Sequence, residues 1–222
     1  MKPIESMSRI SAEAIIRKIF ETTCGADRLP PHVSDLPKPK SAEAEASNGM
    51  ERFWITQLHR AFREQYPDDG TAVLFKHQRD EPWRRSEFLH DITVVRRDLV
   101  PSPYRAVRIP IIRRVLWQVE SELSGDGRQV AVDLSKLIAG SAESKLMVVR
   151  LPTGNQMDGF ANVKAFLEEA FETCEGHLFV AFLPPYASRH SGLNLWRNPG
   201  ALGVRLFARE QDGILHPLPM AP

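Results

Sequence analysis

Between Val115 and Leu183 the spacing of apolar residues switches from two to three-and-four and back, twice over. Val115 to Leu123 alternates like a strand, and the Gly125-Asp126-Gly127 turn follows it. Residues 128–139 then set Val130, Leu134, Leu137 and Ile138 on one helical face. Lys145 to Leu151 is a compact strand. Asp158 to Cys174 carries Phe160, Val163, Leu167, Ala170, Phe171 and Cys174 at helical spacing, and His177 to Leu183 is a short apolar run suited to a buried strand. Strands that alternate with helices of this length need a sheet with helices laid against it.

The first half adds the remaining layers. Ser8 to Cys24 reads as an amphipathic helix with Ile10, Ala14, Ile15, Ile16, Ile19 and Phe20 as its stripe and Ser8 or Ser11 as its cap. Residues 26–49, with Pro30, Pro31, Pro37 and Pro39, read as a linker or extended arm. Glu51 to Tyr66 reads as a second helix, with Phe53, Trp54, Leu58, Ala61 and Phe62 as core. Ala72 to Lys76 and Glu87 to Val95 are strand-like, residues 96–114 a hairpin or loop, and Val204 to Arg209 a last strand before a Pro-rich end. The expected fold is α/β (or α+β): a mixed central sheet flanked by helices. The expected organisation is an N-terminal helix (1–25), an arm (26–49) and one α/β domain (50–222).

Composition closes several alternatives. Lys plus Arg number 29 and Asp plus Glu 28, a formal charge of +1, which argues against a polybasic chain or an acidic tail. No apolar run approaches the roughly 20 residues of a membrane span. The start, MKPIESMSRISAEA, has no apolar core of a signal peptide, and Cys24 and Cys174 cannot build a disulfide framework or a four-cysteine zinc site. A cytoplasmic setting is expected.

Three acids stand out. Asp91 lies inside the strand-like FLHDITVV. In VLWQVESEL, alternation places Gln118, Glu120 and Glu122 on one face and Trp117, Val119 and Ser121 on the other. Two same-face carboxylates repel, and a hard divalent cation relieves that repulsion through carboxylate oxygens and water. The alternative is a solvated edge strand, with Arg96 or Arg113 as cross-strand partners and Asp91 salt-bridged.

This order of elements, with an acid on one strand and E-x-E on the next, resembles the PD-(D/E)xK restriction-endonuclease-like superfamily over about residues 51–151, extending towards Leu183. The resemblance implies a restriction-endonuclease-like core, with Asp91 and Glu120 as ligands of Mg²⁺ (or Mn²⁺). The third motif position, ordinarily lysine, is Glu122 here, and His90 replaces the motif's leading proline. The resemblance also makes Lys136, in VDLSKLIAG, the lysine that arrives from the following helix, and Glu64 an acid from the first core helix. The catalytic set so implied is Asp91, Glu120, Glu122 and Lys136.

Arg96, Arg97, Arg105, Arg108, Arg113 and Arg114 are accompanied by a single acid, Asp98. Arginine grips phosphate bidentately, so this stretch is the candidate nucleic-acid contact; the alternative is a solubilising loop. Nucleotide-binding glycine loops, HExxH and GxSxG are absent from the sequence. His59, His77 and His90 have no zinc spacing. Residues 182–186, with Arg189 and His190, could line a groove.

The functional expectation is a metal-dependent nuclease acting on nucleic acid, DNA first. The alternatives are a catalytically inactive nuclease-fold subunit that binds nucleic acid or assembles a complex, and a small α/β protein without a nucleic-acid role. A protein partner or a homodimer through the N-terminal helix is a further expectation.

Overall fold

The computed structural model describes residues 7–24, 42–67, 70–76, 90–104, 106–123, 126–151, 156–183 and 204–219. Elements run in the order α1 (Arg9–Cys24), α2 (Ala42–Gln65), β1 (Thr71–Phe75), β2 (Ile92–Pro101), β3 (Arg108–Glu122), α3 (Gly127–Ala139), β4 (Ser144–Arg150), α4 (Gln156–Ala170), β5 (His177–Leu183), β6 (Arg205–Arg209) and β7 (Leu215–Leu218). One mixed sheet holds all seven strands in sequence order. β1, β2 and β3 form an antiparallel meander, β3, β4 and β5 are parallel, and β6 and β7 return antiparallel. Helices α3 and α4 are the crossovers that parallel pairing requires.

The sheet separates two cores, and strand alternation decides which residue enters which. Ile92, Val94, Trp117, Val119, Leu146, Val148, Phe179 and Ala181 face α1 and α2. Met147, Val149, Leu178, Val180 and Phe182 face α3 and α4. Near-continuous apolar strands such as Leu178 to Leu183 are the mark of a sheet covered on both sides. Trp117 anchors the first core. It is fully buried, its indole N–H donates to the Tyr66 hydroxyl at 2.7 Å, and it packs against Phe62 and Phe179. Trp117→Ala is expected to cost about 3–5 kcal/mol, readable as a lower urea midpoint.

Several boundaries differ from the sequence reading. α2 starts at Ala42, inside the stretch read as linker, because alanine and glutamate are strong helix formers. Only part of the expected α1 stripe is buried: Ile16, Ile19 and Phe20, joined by Ala12, share the core of α2 and the sheet, whereas Ile10 and Ala14 are exposed, so the buried face is occupied by the chain itself. Residues 96–104 and 106–114 are the two sides of a long hairpin. β2 meets β1 only as far as Arg96, and β3 meets β4 only from Trp117 onward, so the far ends of β2 and β3 form a two-stranded arm. The Pro-rich end contains β7, whose Pro217 is tolerated because the strand has only one neighbour. Glu87 to Leu89, His77, Arg105, the prolines of residues 30–39, and Tyr186, Arg189 and His190 lie outside the described residues. Among those described, no helix is long and apolar enough to cross a membrane.

Candidate active site

The antiparallel registers align one row of residues across the sheet. Phe75 is opposite Ile92 and Ile92 opposite Val119, so Lys76, Asp91 and Glu120 are successive cross-strand neighbours, and Glu120 is opposite Met147 on β4. Glu120 therefore points into the α3 layer, as its alternation requires. α3 turns Val130, Leu134 and Leu137 inward, and the same face carries the buried Asp133. Lys136, one turn on, reaches back over the carboxylates.

The contacts make a charged cluster. Asp91 Oδ2 accepts from the Ser121 backbone N–H at 2.9 Å and from its hydroxyl at 2.7 Å. The Lys76 ammonium forms an ion pair with Asp91 Oδ1. Lys136 Nζ donates to Asp133 Oδ1 at 2.6 Å and to Glu120 Oε2 at 3.4 Å. Glu120 is 1% exposed, and its Oε1 is buried without a hydrogen bond. Burial, then the charges of Asp91 and Asp133, push the Glu120 carboxyl up to about 9, against the pull of Lys136. Burial opposes the Lys136 ammonium, but Asp133 and Glu120 outweigh it and raise its pKa, so Lys136 is a cation at neutral pH.

Asp91, Glu120 and Asp133 thus face two lysines, and with its pKa pushed up to about 9 the Glu120 carboxyl keeps its proton at neutral pH. A divalent cation that displaced this proton would meet two adjacent carboxylates, Asp91 and Glu120. The donors are hard carboxylate oxygens, one of them orphaned, and Mg²⁺ binds a few such oxygens while keeping several waters. Among the described residues, no three His, Cys, Asp or Glu side chains already stand in metal-holding geometry. A site here would use two protein carboxylates and water.

The edge-strand reading of the E-x-E segment does not hold. β3 lies between β2 and β4, and Glu120 and Glu122 are both buried. Of the two arginines expected as their partners, Arg113 pairs with Asp98 at 2.9 Å and Arg96 stands opposite Arg114, which pairs with Glu143; the salt bridge expected for Asp91 is present, to Lys76. Arg108 donates to the Leu99 carbonyl at 2.7 Å. These arginines belong to the arm end of the hairpin, several residues along β3 from Glu120. Glu64 is exposed on α2, which packs on the other face of the sheet, and so does not join the cluster. His59 stacks on Phe75, and burial lowers its pKa to about 4.

Sequence reading missed Asp133 and Lys76. A signal for Asp133 was present: it sits three residues before Lys136, on the same helical face, next to the apolar stripe. Lys76 had none, because only the pairing of β1 with β2 brings it to Asp91. No family model and no curated protein matches the sequence.

Proposed function

We propose that this protein is a cytoplasmic, metal-dependent nuclease that hydrolyses phosphodiester bonds of nucleic acid, DNA in the first instance. The observation that carries the reading is the cross-strand pair of buried carboxylates, Asp91 and Glu120, with one oxygen unpartnered and the Lys136 ammonium above it. The meander that leads into the β3–α3–β4 crossover keeps the element order on which the PD-(D/E)xK resemblance rests.

Asp91 and Glu120 would hold Mg²⁺ or Mn²⁺. Such an ion activates water and neutralises charge on a phosphate under attack. Ser121 holds the Asp91 carboxylate in place through two hydrogen bonds. Lys136, being protonated, donates to a water or a phosphate oxygen and does not act as a base. Glu122, at the third motif position, would complete the site or hold a water. Arg96, Arg97, Arg108, Arg113 and Arg114, with Arg105, would grip the backbone, exchanging intramolecular partners for phosphate where they have them.

The test is a titration of the purified full chain with Mg²⁺, followed by thermal melts and by cleavage of plasmid DNA. Saturation about a hundredfold above Kd stabilises by about 2.7 kcal/mol, a rise of roughly 5–10 °C, reversed by chelator, with cleavage only when the ion is present. A rise in Tm with no cleavage of DNA or RNA selects the second reading, a catalytically inactive nuclease-fold module. That reading is favoured by Glu122 in place of lysine and by the Lys76 ammonium already resting on Asp91. Neither a shift nor cleavage overturns the nuclease reading and leaves the inactive module, which needs no metal.

A further inference from the structure

α3 ends in a chain of polar contacts that runs back to the sheet. The Ala142 backbone N–H donates to Gln118 Oε1 at 3.3 Å. Gln118 Nε2 then stands 3.4 Å from His90 Nδ1, and His90 Nε2 stands 3.2 Å from the Lys136 carbonyl. Only one assignment satisfies every atom. Gln118 accepts at its oxygen and donates at its nitrogen, and His90 accepts at Nδ1 and donates from Nε2. The last link is needed locally. Gly140 N–H closes a tight turn onto the Leu137 carbonyl, so the Lys136 carbonyl loses its helical donor, and His90 supplies one.

Gly140 belongs to the same device. A glycine after a helix usually serves a left-handed cap, but here φ is −76° and ψ is 153°, a conformation open to any residue. The reason for glycine is space. A Cβ at this position would stand 2.0 Å from Gln118 Oε1 and 2.7 Å from its Cδ.

We propose that His90, Gln118 and Gly140 are positioning residues for Lys136, fastening the last turn of α3 to β2 and β3 so that its ammonium reaches Glu120. The fastening is tied to the carboxylates through the strands themselves: His90 precedes Asp91, and Gln118 shares a face with Glu120. Only the kinetic part of the inference rests on the nuclease reading.

The test uses the full chain. Long-range ¹H–¹⁵N NMR should find His90 protonated at Nε2 alone. Amide hydrogen exchange should find the last turn of α3 and the Ala142 N–H protected, as the contacts to His90 and Gln118 require. His90→Ala and Gln118→Ala should speed exchange in that turn, and lower kcat of any cleavage about 10–100-fold with KM within twofold. His90→Gln keeps a donor and an acceptor at the two ends and should restore most of both readouts.

Gly140→Ala adds a cycle independent of activity. In the wild-type background it should lower Tm by several degrees, because the methyl group displaces Gln118. In the Gln118→Ala background it should leave Tm unchanged or raise it, because the clash is gone and alanine fits this backbone. Unaltered exchange in the last turn of α3 in both alanine variants, or the same Gly140→Ala effect in both backgrounds, overturns the proposal. Intact NMR and Tm responses in a protein that cleaves nothing overturn the nuclease reading and leave the positioning role standing.

Discussion

Asp91→Asn and Glu120→Gln are each expected to lower Mg²⁺-dependent cleavage by a factor on the order of 10³ or more while leaving the far-UV spectrum unchanged. Both substitutions keep shape and remove a group that can ionise. In Asp91→Asn the amide oxygen can still accept from Ser121, so the bend that starts β2 survives. What is lost is one of the two carboxylates that a hard cation would bind once it displaced the Glu120 proton. The same variants should lose the Mg²⁺-induced rise in Tm, which separates metal binding from chemistry. Cleavage at wild-type rate by either variant would remove the cluster from the mechanism. Glu122→Gln is the internal control: a loss matching that of Glu120→Gln would give both acids of the E-x-E pair a share in the ion.

A second large effect is expected in chelator, where Glu120→Gln should be more stable than wild type at pH 8–9 and equal to it within about 1 kcal/mol at pH 4. The folded pKa of Glu120, about 9, lies above the ordinary 4.5, so the folded state binds the extra proton. Stability from this group is fully present below pH 4.5 and is lost as pH rises from there through about 9. Glutamine does not titrate and escapes the loss. The span from 4.5 to about 9 sets an upper bound of roughly 6 kcal/mol. Water entry around the charged form reduces this to about 2–4 kcal/mol, or roughly 5–15 °C in Tm. Mg²⁺ should return the wild type towards the variant by neutralising the carboxylate. Parallel pH profiles for the two proteins in chelator would contradict the charge arrangement described for Asp91, Glu120 and Asp133.

The two kinds of residue in the site differ in how visible they were. Glu120 and Glu122 were legible because period-two alternation places them together whatever the strand pairs with. Asp91 was legible as an acid in an apolar run, but it lies in the bend one residue before β2 and not inside the strand. Lys136 was promoted by the family resemblance, and the structure brings its ammonium to Glu120. The arginine-rich stretch was legible as a charge pattern but not as a shape. Composition cannot distinguish a loop from a hairpin whose far end outruns its neighbours on both sides. Nor does it reveal that Arg113 and Arg114 already hold Asp98 and Glu143. The early start of α2 was hidden because an alanine- and glutamate-rich run has the composition of a polar linker and, equally, of a helix.

What the sequence determined by itself was periodicity: four helical and most of the strand segments, the two faces of β3, and an acid pair on one of them. These follow from the chain's local geometry, since 3.6 and 2.0 residues per repeat dictate which side chains share a side. What only the tertiary structure decided was register and partnership. Asp91 meets Glu120 because Ile92 pairs with Val119, Lys76 meets Asp91 because β1 pairs with β2, and Gln118 meets His90 and Ala142 because α3 closes against β3. His90 reaches the Lys136 carbonyl across 46 residues of chain, and no local preference carries information across such a gap. Strand pairing brought Lys76, Asp91 and Glu120 into one row, and the packing of α3 against the sheet added Asp133 and Lys136.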